Sequence, residues 1–173
     1  MAIVGGLRAR LIRESLYHMI DNALTALGWY DSGRPHEPID FKSYPVDWNE
    51  EIALNTLSLA DEDMTDREDE LGSSLTENRW VFYVDFFGEN DALALQLVRD
   101  IRDICGGRFP SIGRTGSTFT VYDYRQATPP ALFSCDIEDI ETDRARNFPQ
   151  SWLKHWQTCR LTVIDHYADE DYD

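Results

Sequence analysis

The chain is 173 residues long, 42% hydrophobic and 12% aromatic, with a formal net charge of −16 and a pI near 4.5. This length and apolar content predict one domain with a real core and exclude global disorder, while the acidity argues against ordinary nucleic-acid binding because little counterion release is available to drive it. No apolar window is long enough to cross a bilayer, and no signal-peptide core precedes the N-terminal arginines, so a cytosolic fate is expected.

The first element is an amphipathic helix over residues 7–27. Leu7, Leu11, Ile12, Leu16, Met19, Ile20, Ala23, Leu24 and Leu27 recur at steps of three and four residues, and Gly28 follows as a C-terminal cap. Arg8, Arg10 and Arg13 crowd its first half, the end of the helix dipole that disfavours cations. They form either a solvated face or a basic contact for an acidic neighbour. Residues 29–50, punctuated by Gly33, Pro35, Pro38 and Pro45, predict a covered connection with one short edge strand.

Residues 51–60 are strand-like, and residues 79–87 make the strongest strand of the chain. Trp80, Phe82, Val84 and Phe86 face one way and Val81, Tyr83 and Phe87 the other, which predicts a central strand covered on both sides. Between the two strands, seven of the ten residues from Asp61 to Glu70 are acidic. The connection is too long for a tight turn, so residues 61–76 are expected to form the charged end of a projecting hairpin.

A second helix is expected to start at an Asn90 N-cap, with Asp91 in its first turn. It buries Leu93, Leu97, Ile101 and Ile104, with Ala94, Val98 and Cys105 beside them, and stops at Gly106-Gly107. Strands follow at 119–124 and 131–137, the second alternating Ala131, Phe133, Cys135 and Ile137 on one face. Residues 143–150 form a polar linker, and 152–167 give a last strand with Cys159, Leu161 and Val163 on one face. An acidic tail, expected to be flexible, closes the chain at 166–173. From Asp165 to Asp173 there are five acids and no Lys or Arg. The run at 61–70 supplies −6 and this last segment −5 of the net −16, so most of the acidity is appended to an ordinary domain. The expected fold over residues 1–173 is α+β: a mainly antiparallel sheet, two amphipathic helices packed on it, and a long projecting acidic hairpin.

Chemistry-bearing patterns are sparse. Cys105, Cys135 and Cys159 are odd in number, widely spaced and set in apolar segments, which predicts buried free thiols. Asp61, Asp63 and Asp66 look like the opening of a calcium loop, but Asp66 occupies the position that needs Gly and Gly72 the position that needs Glu. Gly113-Arg-Thr-Gly-Ser-Thr lacks the lysine of a phosphate loop and leads into a strand. His18, His36, His155 and His166 have no metal-ligand spacing. Ser134, His155 and Asp165 can be named as a trio, with no nucleophile elbow behind it. Trp29, Trp48, Trp80, Trp152 and Trp156 lack the basic surroundings of a base-stacking surface and are assigned to core or interface. No catalytic residue, metal site or cofactor is expected.

The order of parts resembles the tail terminator (tail-completion, head–tail joining) proteins of long-tailed phages with non-contractile tails. The matching parts are the N-terminal helix GGLRARLIRESLYHMIDNAL, strands with a long loop between them, the strand that runs into the second helix in RWVFYVDFFGENDALALQLVRDIRDI, and short strands ending near the C-terminus. The resemblance spans nearly the whole chain and rests on layout. It implies a structural virion protein, made in the host cytoplasm and placed at the neck of the virion. Six copies would form a ring on the head-proximal end of the tail tube, end tube polymerisation and meet a head–tail neck protein. Genomic DNA would pass through the lumen without specific binding. It implies no enzymatic activity, no cofactor and no membrane partner.

Two physical points agree with that expectation. An acidic lumen repels the phosphate backbone, and a hairpin reaching onto a neighbour makes the heterologous closing contact that a ring needs. The expected contact sets Arg8, Arg10 and Arg13 of one copy against Asp61, Glu62, Asp63, Asp66, Glu68, Asp69 and Glu70 of the next. The main alternative is a DNA-mimic inhibitor whose carboxylates imitate phosphates and block a DNA-binding protein. Concentration of charge in one loop and one tail suits mimicry less than a charge track spread along a duplex-like surface would. A small hydrolase or transferase is the third option, for which no constellation of residues was found.

Overall fold

The computed structural model describes residues 5–32, 38–44, 55–61, 65–67, 75–88, 90–144 and 156–168. Helix α1 spans Gly5–Ala26. Leu11, Ile12, Leu16, Ile20, Ala23 and Leu24 are buried along one stripe, with Leu7, Met19 and Leu27 packed at its margin. Its end is fixed by two crossed hydrogen bonds, from the Trp29 amide to the Leu24 carbonyl and from the Gly28 amide to the Thr25 carbonyl. Gly28 sits at φ 73 between them, the left-handed position this cap requires and glycine occupies without steric cost. Helix α2 spans Asp91–Cys105 and starts as expected, with the Asn90 side chain accepting from the Leu93 amide at 2.9 Å. All seven of its anticipated inward residues are buried. Trp29 joins the two helices: its ring is buried and its indole N–H donates to Asp100 at 2.9 Å.

Nine strands among the described residues complete the α+β fold: β1 (Asp40–Lys42), β2 (Thr56–Asp61), β3 (Thr65–Arg67), β4 (Leu75–Phe87), β5 (Arg108–Phe109), β6 (Arg114–Thr115), β7 (Thr118–Tyr122), β8 (Ala131–Arg144) and β9 (Trp156–Ala168). Strands β5 and β6 make a small separate hairpin around a single 3-10 turn at Pro110–Ile112. The main sheet runs β1-β2-β4-β9-β8-β7, antiparallel except for β1 against β2, and curls around the helices. Strand β4 is central, as its two apolar faces predict, but it is not covered equally on both: Phe82, Val84 and Phe86 are fully buried, whereas Tyr83 and Phe87 on the other face are half-buried. It pairs with β9 over all thirteen positions, from Leu75↔Ala168 to Phe87↔Trp156. Its other side is shared by β2, opposite residues 82–87, and β3, opposite 77–79.

Phe82, Val84 and Phe86 of β4 and Cys159, Leu161 and Val163 of β9 form the inner face, each at 0% exposure. Helix α1 lies across the open side of the curl and reaches both sheet edges. The Ser15 hydroxyl accepts from the Tyr122 amide of β7 at 2.9 Å, and the Tyr17 hydroxyl donates to the Phe41 carbonyl of β1 at 3.4 Å.

Four expectations change. The segment 61–76 is not all loop: Asp61 ends β2, residues 65–67 are β3, and β4 begins at Leu75 rather than residue 79. Strand β8 runs through Arg144, so the first two residues of the expected 143–150 linker are paired with β9. Between the end of α2 and β7, where no strand is expected, Arg108–Phe109 and Arg114–Thr115 pair as a small hairpin. The tail does not start at 166, because β9 continues to Ala168. Residues 145–150 and 169–173 lie outside the described residues.

Candidate interaction surfaces

Arg8 belongs to the interior. It shares the inward stripe of α1 with Ile12 and Leu16 and is 7% exposed. Its guanidinium donates through Nε to one oxygen of Asp165 and through Nη2 to the other at 2.8 Å. The Asp165 side chain, on β9, is fully buried. The guanidinium also lies 4.1 Å from the centre of the Phe133 ring on β8, where the ring's negative face favours a cation. A bidentate pair of this kind is the geometry in which Arg is hardest to replace. Arg8 is therefore engaged within its own chain, and Asp165, grouped by composition with the acidic tail, is a core residue.

The other expected contact residues are distributed differently. Arg10 is exposed and pairs with Glu14 one turn along α1 at 2.8 Å. Arg13 is half-buried. Asp61 stands opposite Phe82 and Asp66 opposite Asn78 in the sheet register. Glu62, Asp63, Glu68, Asp69 and Glu70 lie outside the described residues.

Among the described residues, most exposed basic groups have an acid of their own. Arg79 faces Glu138 at 3.4 Å, Arg160 faces Glu141 at 3.3 Å, and Arg125 grips both oxygens of Asp123 at 2.7 and 2.9 Å. The Arg125 guanidinium holds the Asp123 carboxyl well below the usual carboxylate range. The sheet face turned away from the helices carries Asp85, Asp136, Glu138, Asp139 and Glu141 against Arg79 and Arg160, an acidic excess set by strand register.

The C-terminal corner of α2 reverses this balance. Residues 99–118 carry four arginines against two aspartates, and Asp100 is directed at Trp29. Arg102 and Arg108 share the single carboxylate of Asp103, at 3.4 and 3.6 Å. Arg99, exposed and one turn before Asp103 on the helix, shows no ion pair among the described residues. Arg114 donates to the Ile104 and Gly116 carbonyls at 3.1 and 3.4 Å, which pins the β5–β6 hairpin under the helix end. Cations at a helix C-terminus are favoured by the macrodipole, which explains their placement here. No local pattern singled out this corner in the sequence, because a turn and a helix end contribute to it separately.

The remaining chemical candidates are not brought together. Both Asp165 oxygens are engaged by Arg8, Ser134 is exposed on β8, and His155 lies outside the described residues. All three cysteines are buried free thiols. Burial pushes Cys159 up to about 12 and raises Cys105 and Cys135 as well. Compared with models of known protein families and with curated proteins, the chain matches none.

Proposed function

We propose that this chain is a structural subunit of a phage tail terminator. In this reading, six copies close into a ring on the head-proximal end of a non-contractile tail tube, stop its growth and present a surface to the neck protein of the head. The observation that carries the reading is the long central ribbon. Strands β4 and β9 pair over thirteen residues, while β2 stops at Asp61 and β8 pairs with β9 only as far as Ile164. The ribbon thus runs past β8 on one side, while on the other the short strand β3 lines it as far as Glu77, and the acidic run is attached at that end. Such an arm reaches a neighbouring copy while the helices and curled sheet form the body, and a head-to-tail reach that closes on itself makes a ring.

The acidic sheet face suits a channel: carboxylates facing DNA disfavour adhesion, so the genome slides past without specific binding. The role asks for rigid placement of surfaces rather than for a reactive group. The experiment is to add the protein to tail tubes that are still elongating. Tubes should stop growing, with the protein at one end only. Continued elongation with no bound protein contradicts the reading and moves the choice to the DNA-mimic inhibitor, for which competition with DNA for a basic protein is the assay.

A further inference from the structure

We infer that the corner formed by the end of α2 and the β5–β6 hairpin is a docking surface for the acidic run, residues 61–70, of a second copy of this chain. The inference deepens the ring reading by naming its contact, and it takes from that reading only the identity of the occupant. Elsewhere among the described residues, exposed cations are matched by neighbouring acids. At this corner Arg102 and Arg108 share one carboxylate, Asp103, Arg99 is exposed one turn earlier on α2, and the Arg114 guanidinium donates to the Ile104 carbonyl at the helix end. A positive surface in a chain of net charge −16 is complementary to the chain's own densest acidic segment.

The surface is also built to stay in place. The hairpin is closed where Gly107 meets Gly116 backbone to backbone and is tied to the helix end by Arg114. Arg108 is thereby presented at 69% side-chain exposure without a mobile loop, so little ordering is lost on contact. Leu95, 51% exposed and one turn before Arg99, puts apolar area beside the cations. Apolar groups next to arginine are the composition of a contact surface rather than of a purely solvated helix face. The α1 arginines fit the role less well: Arg8 is committed to Asp165 and Arg10 to Glu14.

The test uses a fluorescent peptide spanning residues 59–72, titrated with the full-length protein at low ionic strength and followed by anisotropy. Variants Arg99→Glu/Arg108→Glu and Arg10→Glu change exposed side chains, and an unchanged melting curve for each confirms folding. The proposal expects the double variant to bind the peptide at least about tenfold more weakly, Arg10→Glu to bind it as wild type does, and added salt to weaken the wild-type complex. No binding by wild type, equal losses in both variants, or a loss confined to Arg10→Glu overturns it. A single-stranded oligonucleotide that displaces the peptide and binds the corner more tightly overturns the choice of occupant in favour of a phosphate backbone. Peptide binding is separable from tube capping. A wild-type protein that binds the peptide at this corner but caps no tube leaves the contact standing and removes the ring reading.

Discussion

Arg8 and Asp165, 157 positions apart, meet through two hydrogen bonds where the first turns of α1 cross β9. The pair joins the N-terminal helix to the last strand and places both charges in the interior. Replacing one partner strands the other, so Asp165→Ala is expected to destabilise the fold by about 3–5 kcal/mol. The double replacement Arg8→Met/Asp165→Leu removes both charges and should recover most of that loss, because a buried pair roughly breaks even against apolar groups of similar size. Urea unfolding midpoints read both effects. An Asp165→Ala midpoint equal to wild type would show the pair to be solvated.

Gly107 holds the hairpin closed at φ +66, and a Cβ there would stand 2.1 Å from the backbone N and O of Gly116. Neither atom can give way, so Gly107→Ala is expected to cost more than about 2 kcal/mol. Gly113 has a similar φ of +77 but nothing within 4 Å of its Cβ position, so Gly113→Ala should cost only the left-handed penalty, about 1–2 kcal/mol. Comparable losses in the two variants would contradict the close approach. Thermal melts of the pair decide it.

The three thiols sit at 0–1% exposure with their pKa values raised by burial. A raised thiol pKa keeps the unreactive protonated form at pH 8. An aromatic disulfide reagent is therefore expected to label none of the three cysteines in the native protein and all of them after denaturation. Fast labelling of one thiol under native conditions would mean that its element opens locally.

Asp123 and Arg125 brace the turn after β7. The folded-state pKa of Asp123 lies below its unfolded value, chiefly through the Arg125 hydrogen bonds. Its contribution is thus fully present above the unfolded carboxylate pKa of about 3.9 and is lost as pH falls from there through the folded value. Asp123→Asn should be less stable than wild type at pH 7, and the gap should close on acidification below pH ~4. A gap that stays constant from pH 7 to pH 2 would contradict the pairing.

The helices were legible because their apolar stripes run unbroken: every anticipated inward residue of α2 is buried. The second half of β8 was hidden by its own chemistry. Glu138, Asp139, Glu141 and Asp143 make this stretch polar, and the bulge between Ile137 and Asp139 shifts the alternation, so that Ile140, which the parity of Cys135 and Ile137 would turn outward, stands opposite Leu161 on the inner face. Strand β4 extends four residues earlier than its apolar pattern because Leu75–Asn78 are held by pairing with β9, a partner distant in sequence. The Arg8–Asp165 pair was readable in part. Arg8 shares its stripe with Ile12 and Leu16, and Asp165 continues the parity of Cys159, Leu161 and Val163. Counting charge by segment obscured that parity and assigned Asp165 to the tail. The α2 corner had no local signature, because its cations come together only when Gly107 and Gly116 close the hairpin under the helix end.

Assembly on a tail tube is what the proposed role requires, and negative-stain imaging of the purified protein, alone and mixed with tail tubes, reads it out. A terminator should appear as rings, or as caps confined to one end of each tube. Monomers that leave every tube end bare, at protein concentrations well above that of the ends, would contradict it.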